Sequence, residues 1–156
     1  MKNTTCCFSG HRNLNYVETF EIKLKLKKEL SKLIDNGYDR FLCGGALGFD
    51  TICALSVLKA KEKNHQIKLI LVLPCQNQTK YWSNKDKQIY EKIKSKSDEI
   101  IYTSQIYYKG CMQKRNRYMI DHSSYCVYYL KKSSGGTFNT INYAKNQKLQ
   151  LKNISE

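Results

Sequence analysis

Apolar positions along the chain fall into short unbroken runs separated by longer segments with helical spacing. Thr4 to Phe8 is a brief apolar run ending at Ser9-Gly10, and it reads as a buried strand that delivers His11 and Arg12 to its carboxyl end. Val17, Phe20 and Leu24, then Leu26, Leu30 and Leu33, recur at intervals that predict a helix over about 16 to 36, with Asn36-Gly37 as its stop. Arg40 to Cys43 is a second strand running into Gly44-Gly45-Ala46-Leu47-Gly48-Phe49-Asp50, and Ile52, Leu55, Val57 and Leu58 continue as a helix to about Asn64. Ile67 to Leu73 is apolar at nearly every position, as a strand covered on both faces should be, and Pro74 ends it. A polar loop over 75 to 85 surrounds Tyr81-Trp82. A lysine-rich helix to about Lys96 then turns Ile89 and Ile93 inward, and a strand follows from Glu99 to Thr103. The remainder reads as a helix over about 112 to 123, a strand Tyr125 to Leu130, a loop Ser133 to Thr137, a helix to Lys145 and a last strand near Leu149 to Lys152.

Strands alternating with helices predict an α/β fold: a Rossmann-like parallel sheet with helices on both faces and right-handed crossovers. One proline, no Gly/Ser-rich linker and no internal repeat make residues 1–156 a single unit. Ligands of such sheets sit outside the carboxyl ends of the strands.

Composition narrows the partners. Lys and Arg number 27 against 13 Asp and Glu, a formal net charge of +14, yet 23 of the basic residues are Lys scattered as on solvated helix faces. Direct reading of bases and bidentate phosphate contacts favours Arg, so charge alone argues only weakly for nucleic acid. No stretch approaches the roughly 18 apolar residues of a membrane span, and the start lacks a signal-peptide pattern, so the expected location is the cytoplasm. Seven cysteines without a C-x-x-C pair fit neither a disulfide framework nor a zinc ribbon, and packed, reduced thiols are expected, Cys43, Cys75 and Cys111 at loop edges included. His11, His65 and His122 are scattered without paired acids, so no metal site is expected.

Four segments gather the chemistry: Gly10-His11-Arg12, Gly44 to Asp50, Lys114-Arg115-Asn116-Arg117, and Ser133-Ser134-Gly135-Gly136-Thr137. Glycines at a strand-to-helix turn let a phosphate approach the backbone, where unpaired N–H groups and the helix dipole hold an anion. Gly44, Gly45 and Gly48, beside Ala46, suit that role, and Gly135, Gly136 and Thr137 with Ser134 offer a second cradle across the switch point. Arg12 and Arg115 complete the charge balance, and a divalent ion could accompany a bound phosphate. Arg115 and Arg117 stand two apart on a helix and cannot share a face; Arg115 is assigned to the crevice. Asp50 either caps the second helix, bonds a backbone N–H of the turn, or meets ribose hydroxyls of a ligand. His11 serves as a scaffold residue or as a base, Asp121 pairs with lysine, and Tyr81 and Trp82 either cover the sheet edge or stack on a base.

The segments TCCFSGHR, CGGALGFD, VLPCQNQTKYW, GCMQKRNRYMIDHSSYCV and SSGGTFNTINYAK together resemble the YpsA/YspA-like branch of the SLOG superfamily, which has DprA-like and LOG-like members. The resemblance covers about 5 to 147 with the motifs in family order. It implies a Rossmann-like fold whose glycine motifs bind nucleotides or nucleotide-derived signalling molecules. LOG enzymes cleave the N-glycosidic bond of nucleoside 5′-monophosphates with an arginine, matched here by Arg115, and a glutamate just after a glycine-threonine turn. Three residues past Thr137 stands Thr140 instead, and a hydroxyl cannot replace a carboxylate that stabilises an oxocarbenium ion or activates water. Asp50 and Arg115 are then the residual catalytic candidates. The expected activity is capture of a nucleotide-derived ligand as a sensor or sequestering protein, with a LOG-like hydrolase and DprA-like single-stranded DNA binding as alternatives. Association into a homodimer or higher oligomer is expected, although no distinct interface stripe stands out.

Overall fold

The computed structural model describes residues 1–156. Its strands are β1 (Thr5–Gly10), β2 (Arg40–Cys43), β3 (Lys68–Leu73), β4 (Glu99–Tyr102), β5 (Tyr125–Tyr129) and β6 (Gln150–Asn153). Between them lie α1 (Tyr16–Asp35), α2 (Phe49–Lys63), α3 (Asn84–Lys96), α4 (Cys111–Asp121) and α5 (Gly136–Asn146), and a short 3-10 turn at Lys2–Thr4 precedes β1. The sheet is wholly parallel in the order β4-β3-β2-β1-β5-β6. From β1 the chain steps outward to β4, and α4 carries it back to β5 on the other side of β1. The reversal at β1/β5 is where an open α/β sheet leaves a crevice.

Each face has its own core. Residues of α1, α2 and α3 pack with Cys6, Phe8, Phe41, Leu69 and Leu71 on one side, while Met119 and Ile120 of α4 and Ile141 and Ala144 of α5 pack with Cys7, Leu42, Ile70 and Cys126 on the other. This is the expected Rossmann-like α/β arrangement. β1 runs two residues further than its apolar run suggests, because Ser9 and Gly10 continue the ladder opposite Tyr128 and Tyr129. Gly10 is required there by packing: a Cβ would lie 2.7 Å from the Cβ of Phe49. All seven cysteines are reduced and buried. Burial pushes the thiols of Cys6, Cys43 and Cys53 well above their ordinary range.

The start of α1 is a capping box: Asn15 Oδ1 accepts from the Glu18 N–H at 2.8 Å, and Glu18 Oε1 accepts from the Asn15 N–H at 3.1 Å. The apolar spacing along α1 resolves into two stripes. Ile22, Leu26, Leu30 and Leu33 are buried, whereas Val17, Phe20 and Leu24 face solvent. That second face is an exposed apolar stripe that the spacing alone does not separate from the core-facing one.

Candidate functional site

The β2–α2 turn is closed by the chain itself. Gly45 and Gly48 take positive φ values of 72° and 75°, and a side chain at Gly48 would collide with the Arg12 carbonyl. The Phe49 N–H donates to the His11 carbonyl at 3.1 Å, which ties the end of β1 to the start of α2. Asp50 Oδ2 accepts from the Ala46 N–H at 3.1 Å, and Thr51 Oγ1 donates to the Ala46 carbonyl at 3.0 Å. Of the three roles open to Asp50, the structure displays the bond to the turn.

Arg115 reaches this turn from α4. Only 4% exposed, it donates through Nη1 to the Gly44 carbonyl and, at 3.5 Å, to that of Val72, while Nε donates to Asn116 Oδ1 at 2.8 Å. A Cβ at Gly44 would lie 2.7 Å from Arg115 Nη1 and 2.8 Å from Asp50 Oδ2, so glycine is what admits both groups. Burial raises the Asp50 carboxyl above its ordinary range against the pull of Arg115, the Ala46 N–H and Arg12. Burial likewise lowers Arg115, with Asp50 opposing the shift and Arg12 adding to it. The two buried groups balance each other's charge beneath the turn.

The second turn is open. Residues 133–136 are exposed, Gly135 has φ 101°, and no side chain caps the start of α5. Around Gly136, a Cβ would meet only Gln113 Nε2, at 3.9 Å. Thr140 Oγ1 donates to the Gly136 carbonyl at 2.8 Å and accepts from Asn116 Nδ2 at 3.0 Å, linking α5 through Asn116 to Arg115. His11 closes the near side: its Nε2 accepts from the Lys131 N–H at 3.0 Å, and its ring meets Tyr129 edge-on at 5.8 Å. Partial burial, then Lys132, lowers its pKa below the ordinary imidazole value.

These bonds knit all four chemistry-bearing segments together. Gly10, His11 and Arg12 abut the first turn, and Ser134 to Thr137 form the open one. Trp82 adjoins the first turn and not the open one: its indole packs edge-on to Tyr90 at 5.3 Å, and with Gly45 and Asp50 it lines a cavity of ≈ 30 Å³, the size of one water. Tyr81 projects into solvent. Asp121 does not pair with lysine as expected; its Oδ1 accepts from the Tyr143 hydroxyl at 2.6 Å. His122 stacks on Tyr118 at 4.0 Å and bonds the Tyr118 carbonyl, while His65 is exposed. No three His, Cys, Asp or Glu side chains converge as metal ligands.

Sequence reasoning missed a further concavity. A groove of ≈ 810 Å³ runs between α4 and the end of β4, lined among others by Tyr102, Tyr108, Gln113, Lys114, Arg117 and Tyr118. Arg117, not Arg115, faces it, with its guanidinium also 5.1 Å from the Tyr143 ring centroid. The Lys114 to Arg117 segment was the available signal. Its helical phase relative to Met119 and Ile120, both buried, marks the inner side as that of Arg115.

Known proteins give a consistent placement. The chain is 38% identical over 140 residues to the SPbeta prophage-derived protein YoqJ of Bacillus subtilis (strain 168), covering 78% of this chain and 81% of that one. It is 29% identical over 102 residues to the UPF0398 protein of Bacillus pumilus, and 26% over 106 residues to the UPF0398 protein YpsA of Bacillus subtilis (strain 168). The matches cover 64% and 67% of this chain but only 55% and 59% of those relatives. The fold is similar to that of DNA processing protein A (DprA) from Streptococcus pneumoniae, with TM-score 0.68, 15% identity, and coverage of 96% of this chain and 50% of that one. It is also similar to DprA from Helicobacter pylori, a single-stranded DNA binder, with TM-score 0.65, 24% identity, and coverage of 96% and 64%. No helix is long and apolar enough to cross a membrane. The model of the YspA SLOG family matches residues 9–155, and the chain belongs to that family.

Proposed function

We propose that this protein binds a nucleotide or nucleotide-derived signalling molecule at the carboxyl edge of the sheet, with a phosphate on the N-terminus of α5, and acts as a sensor or sequestering protein. The observation that supports this most is the exposed turn at 133–136, which leads into an uncapped helix with space around Gly136. Backbone N–H groups and the dipole there favour an anion. The exposed Arg12, at the end of β1, adds a cation near the crevice.

Binding is favoured over hydrolysis by what the remaining polar groups do. Thr140 spends its hydroxyl on Gly136 and Asn116, and Asp50 is buried against Ala46 beneath the turn. Neither offers a carboxylate to a ligand on the open side. A divalent ion, where one takes part, arrives with the phosphate.

The test is native mass spectrometry of the purified protein after incubation with mononucleotides, dinucleotides, cyclic nucleotides and ADP-ribose derivatives, followed by chromatography of the released small molecules. The reading expects an intact ligand, retained by the wild type and lost in Gly136→Asp. Free base accumulating with time would overturn it in favour of the hydrolase.

A second reading rests on the groove along α4, where three tyrosines stand with Lys114 and Arg117. Aromatic faces and cations in one groove suit a nucleic-acid strand. Single-stranded DNA binding there would fall steeply with salt and drop in Arg117→Ala, whereas a crevice ligand would be indifferent to that variant.

A further inference from the structure

At the amino end of the sheet, opposite the glycine turns, a cavity opens between α1 and the β5–β6 corner. Tyr125 and Gln150 are paired neighbours at the starts of β5 and β6, and Lys152 lies two positions on from Gln150, so all three side chains project to the face that α1 covers. From the helix side come Glu29 and Lys32, about one turn apart, and Tyr38 just beyond the end of α1. Together these side chains line a space of ≈ 450 Å³, within the span of small-molecule sites, about 300–1,000 Å³.

The most buried polar group in that lining is a carboxylate that the fold leaves unserved. Glu29 is 7% exposed and its carboxylate accepts no hydrogen bond; its ionic neighbour is the Lys32 ammonium at 3.7 Å, too long for a hydrogen bond and on a side chain 71% exposed. A buried glutamate is ordinarily tied down by a close partner, because taking its charge out of water is costly. Beside it the rings of Tyr38 and Tyr125 meet at 71° with centroids 5.7 Å apart, a corner whose π faces favour a cation. The Tyr38 hydroxyl is engaged with Ser124 Oγ at 3.0 Å, while that of Tyr125 makes no bond within the chain. Burial and then the Glu29 charge raise the Tyr125 pKa, which keeps its hydroxyl protonated near the carboxylate.

The charges select the ligand. Glu29 and the tyrosine corner favour an ammonium inside the cavity. The exposed Lys32 and Lys152 repel a molecule that is only cationic, and Glu29 repels one that is only anionic. A molecule carrying both charges a few atoms apart satisfies every one of these groups. We propose that this cavity binds a small zwitterion of the α-amino-acid class, its ammonium on Glu29 beside Tyr38 and Tyr125 and its carboxylate towards Lys152. The site lies at the other end of the sheet from both glycine turns, so it is a second ligand site and stands apart from the nucleotide reading.

Isothermal titration calorimetry of the full chain with the common α-amino acids, one at a time, tests it, with the decarboxylated amine and the deaminated acid of each binder as controls. At least one amino acid should bind saturably, and its amine and its acid should each bind about tenfold more weakly. Glu29→Gln keeps the shape of the side chain and should weaken binding by about tenfold or more, because a charged acceptor is lost. Lys152→Met should weaken it by about threefold, as for an exposed charge, and Lys152→Arg should leave it near the wild type. No saturable binding of any amino acid at millimolar concentration, an amine that binds as well as its parent amino acid, or a Glu29→Gln protein of wild-type affinity would each overturn the proposal. Lys152 is exposed and its variants fold whatever becomes of Glu29→Gln, so equal affinity in Lys152→Met and Lys152→Arg would overturn it as well.

Discussion

Two glycine turns of similar sequence character sit at the ends of the two strands that flank β1, and they differ in what fills them. At β2–α2, Arg115 caps the Gly44 carbonyl, Asp50 holds the Ala46 N–H, and the His11 carbonyl takes the Phe49 N–H. At β5–α5, the turn lies bare to solvent, braced from behind by Thr140 and Asn116. A glycine motif therefore states only that a backbone must pass close to something. In the first turn that something is the protein's own side chains, and the second leaves room for a ligand.

The largest effect that would test this contrast is expected at Arg115. Arg115→Ala leaves two carbonyls without their donor and takes from the Asp50 carboxyl the stronger of its two neighbouring cations, and should cost about 3 kcal/mol of stability, read as a large fall in Tm. Arg115→Lys should recover only part of it, because an ammonium cannot serve Gly44, Val72 and Asn116 from one planar fork. An Arg115→Ala protein melting like the wild type would show that the first turn is not self-filled.

Next come the glycines themselves. Gly48→Ala meets both a positive φ and the Arg12 carbonyl, and should cost about 1–3 kcal/mol. Gly136→Asp should stay within about 0.5 kcal/mol of the wild type, since nothing lies closer than Gln113. Its affinity for a phosphate-bearing ligand should nevertheless fall about tenfold or more through like-charge repulsion. Equal losses of stability in the two variants would erase the distinction between the turns.

The brace behind the open turn is weaker. Thr140→Val keeps the shape while removing the hydroxyl that serves Gly136 and Asn116, and chemical denaturation should register a loss of about 1 kcal/mol.

The smallest effect is a pH dependence at His11. Partial burial depresses its pKa, so neutral imidazole is the form the fold favours, and its contribution to stability is present above the ordinary imidazole range. That contribution should fade as pH falls through the depressed value, when protonated Nε2 can no longer accept the Lys131 N–H. Melting curves between about pH 7 and pH 5 should show a modest decline that His11→Ala flattens.

Element order and sheet class were legible in the chain because strand runs such as 67–73 are apolar at nearly every position and each is followed by helical spacing. The four chemistry-bearing segments were legible for the same reason, since residues just past a strand must lie at one edge of a parallel sheet. What remained hidden was direction. Val17, Phe20 and Leu24 share the three-and-four spacing of a core stripe, and only packing reveals that they belong to the opposite face of α1. Arg115 reads as a ligand-facing cation until α4 is docked, when Met119 and Ile120 turn it under the Gly44 turn. Asp121 found a tyrosine hydroxyl on α5 in place of a lysine, a contact fixed by helix–helix packing and invisible to local sequence.

The most direct measurement of the central contrast is a two-dimensional amide NMR titration of the isotope-labelled protein with the ligand that native mass spectrometry retains. The account predicts that the largest shifts fall on the amides of Gly135, Gly136, Thr137 and Phe138, with Gly44 to Gly48 little changed. Shifts concentrated at Gly45 and Gly48 instead would contradict it and assign the anion to the turn that the chain's own side chains already fill.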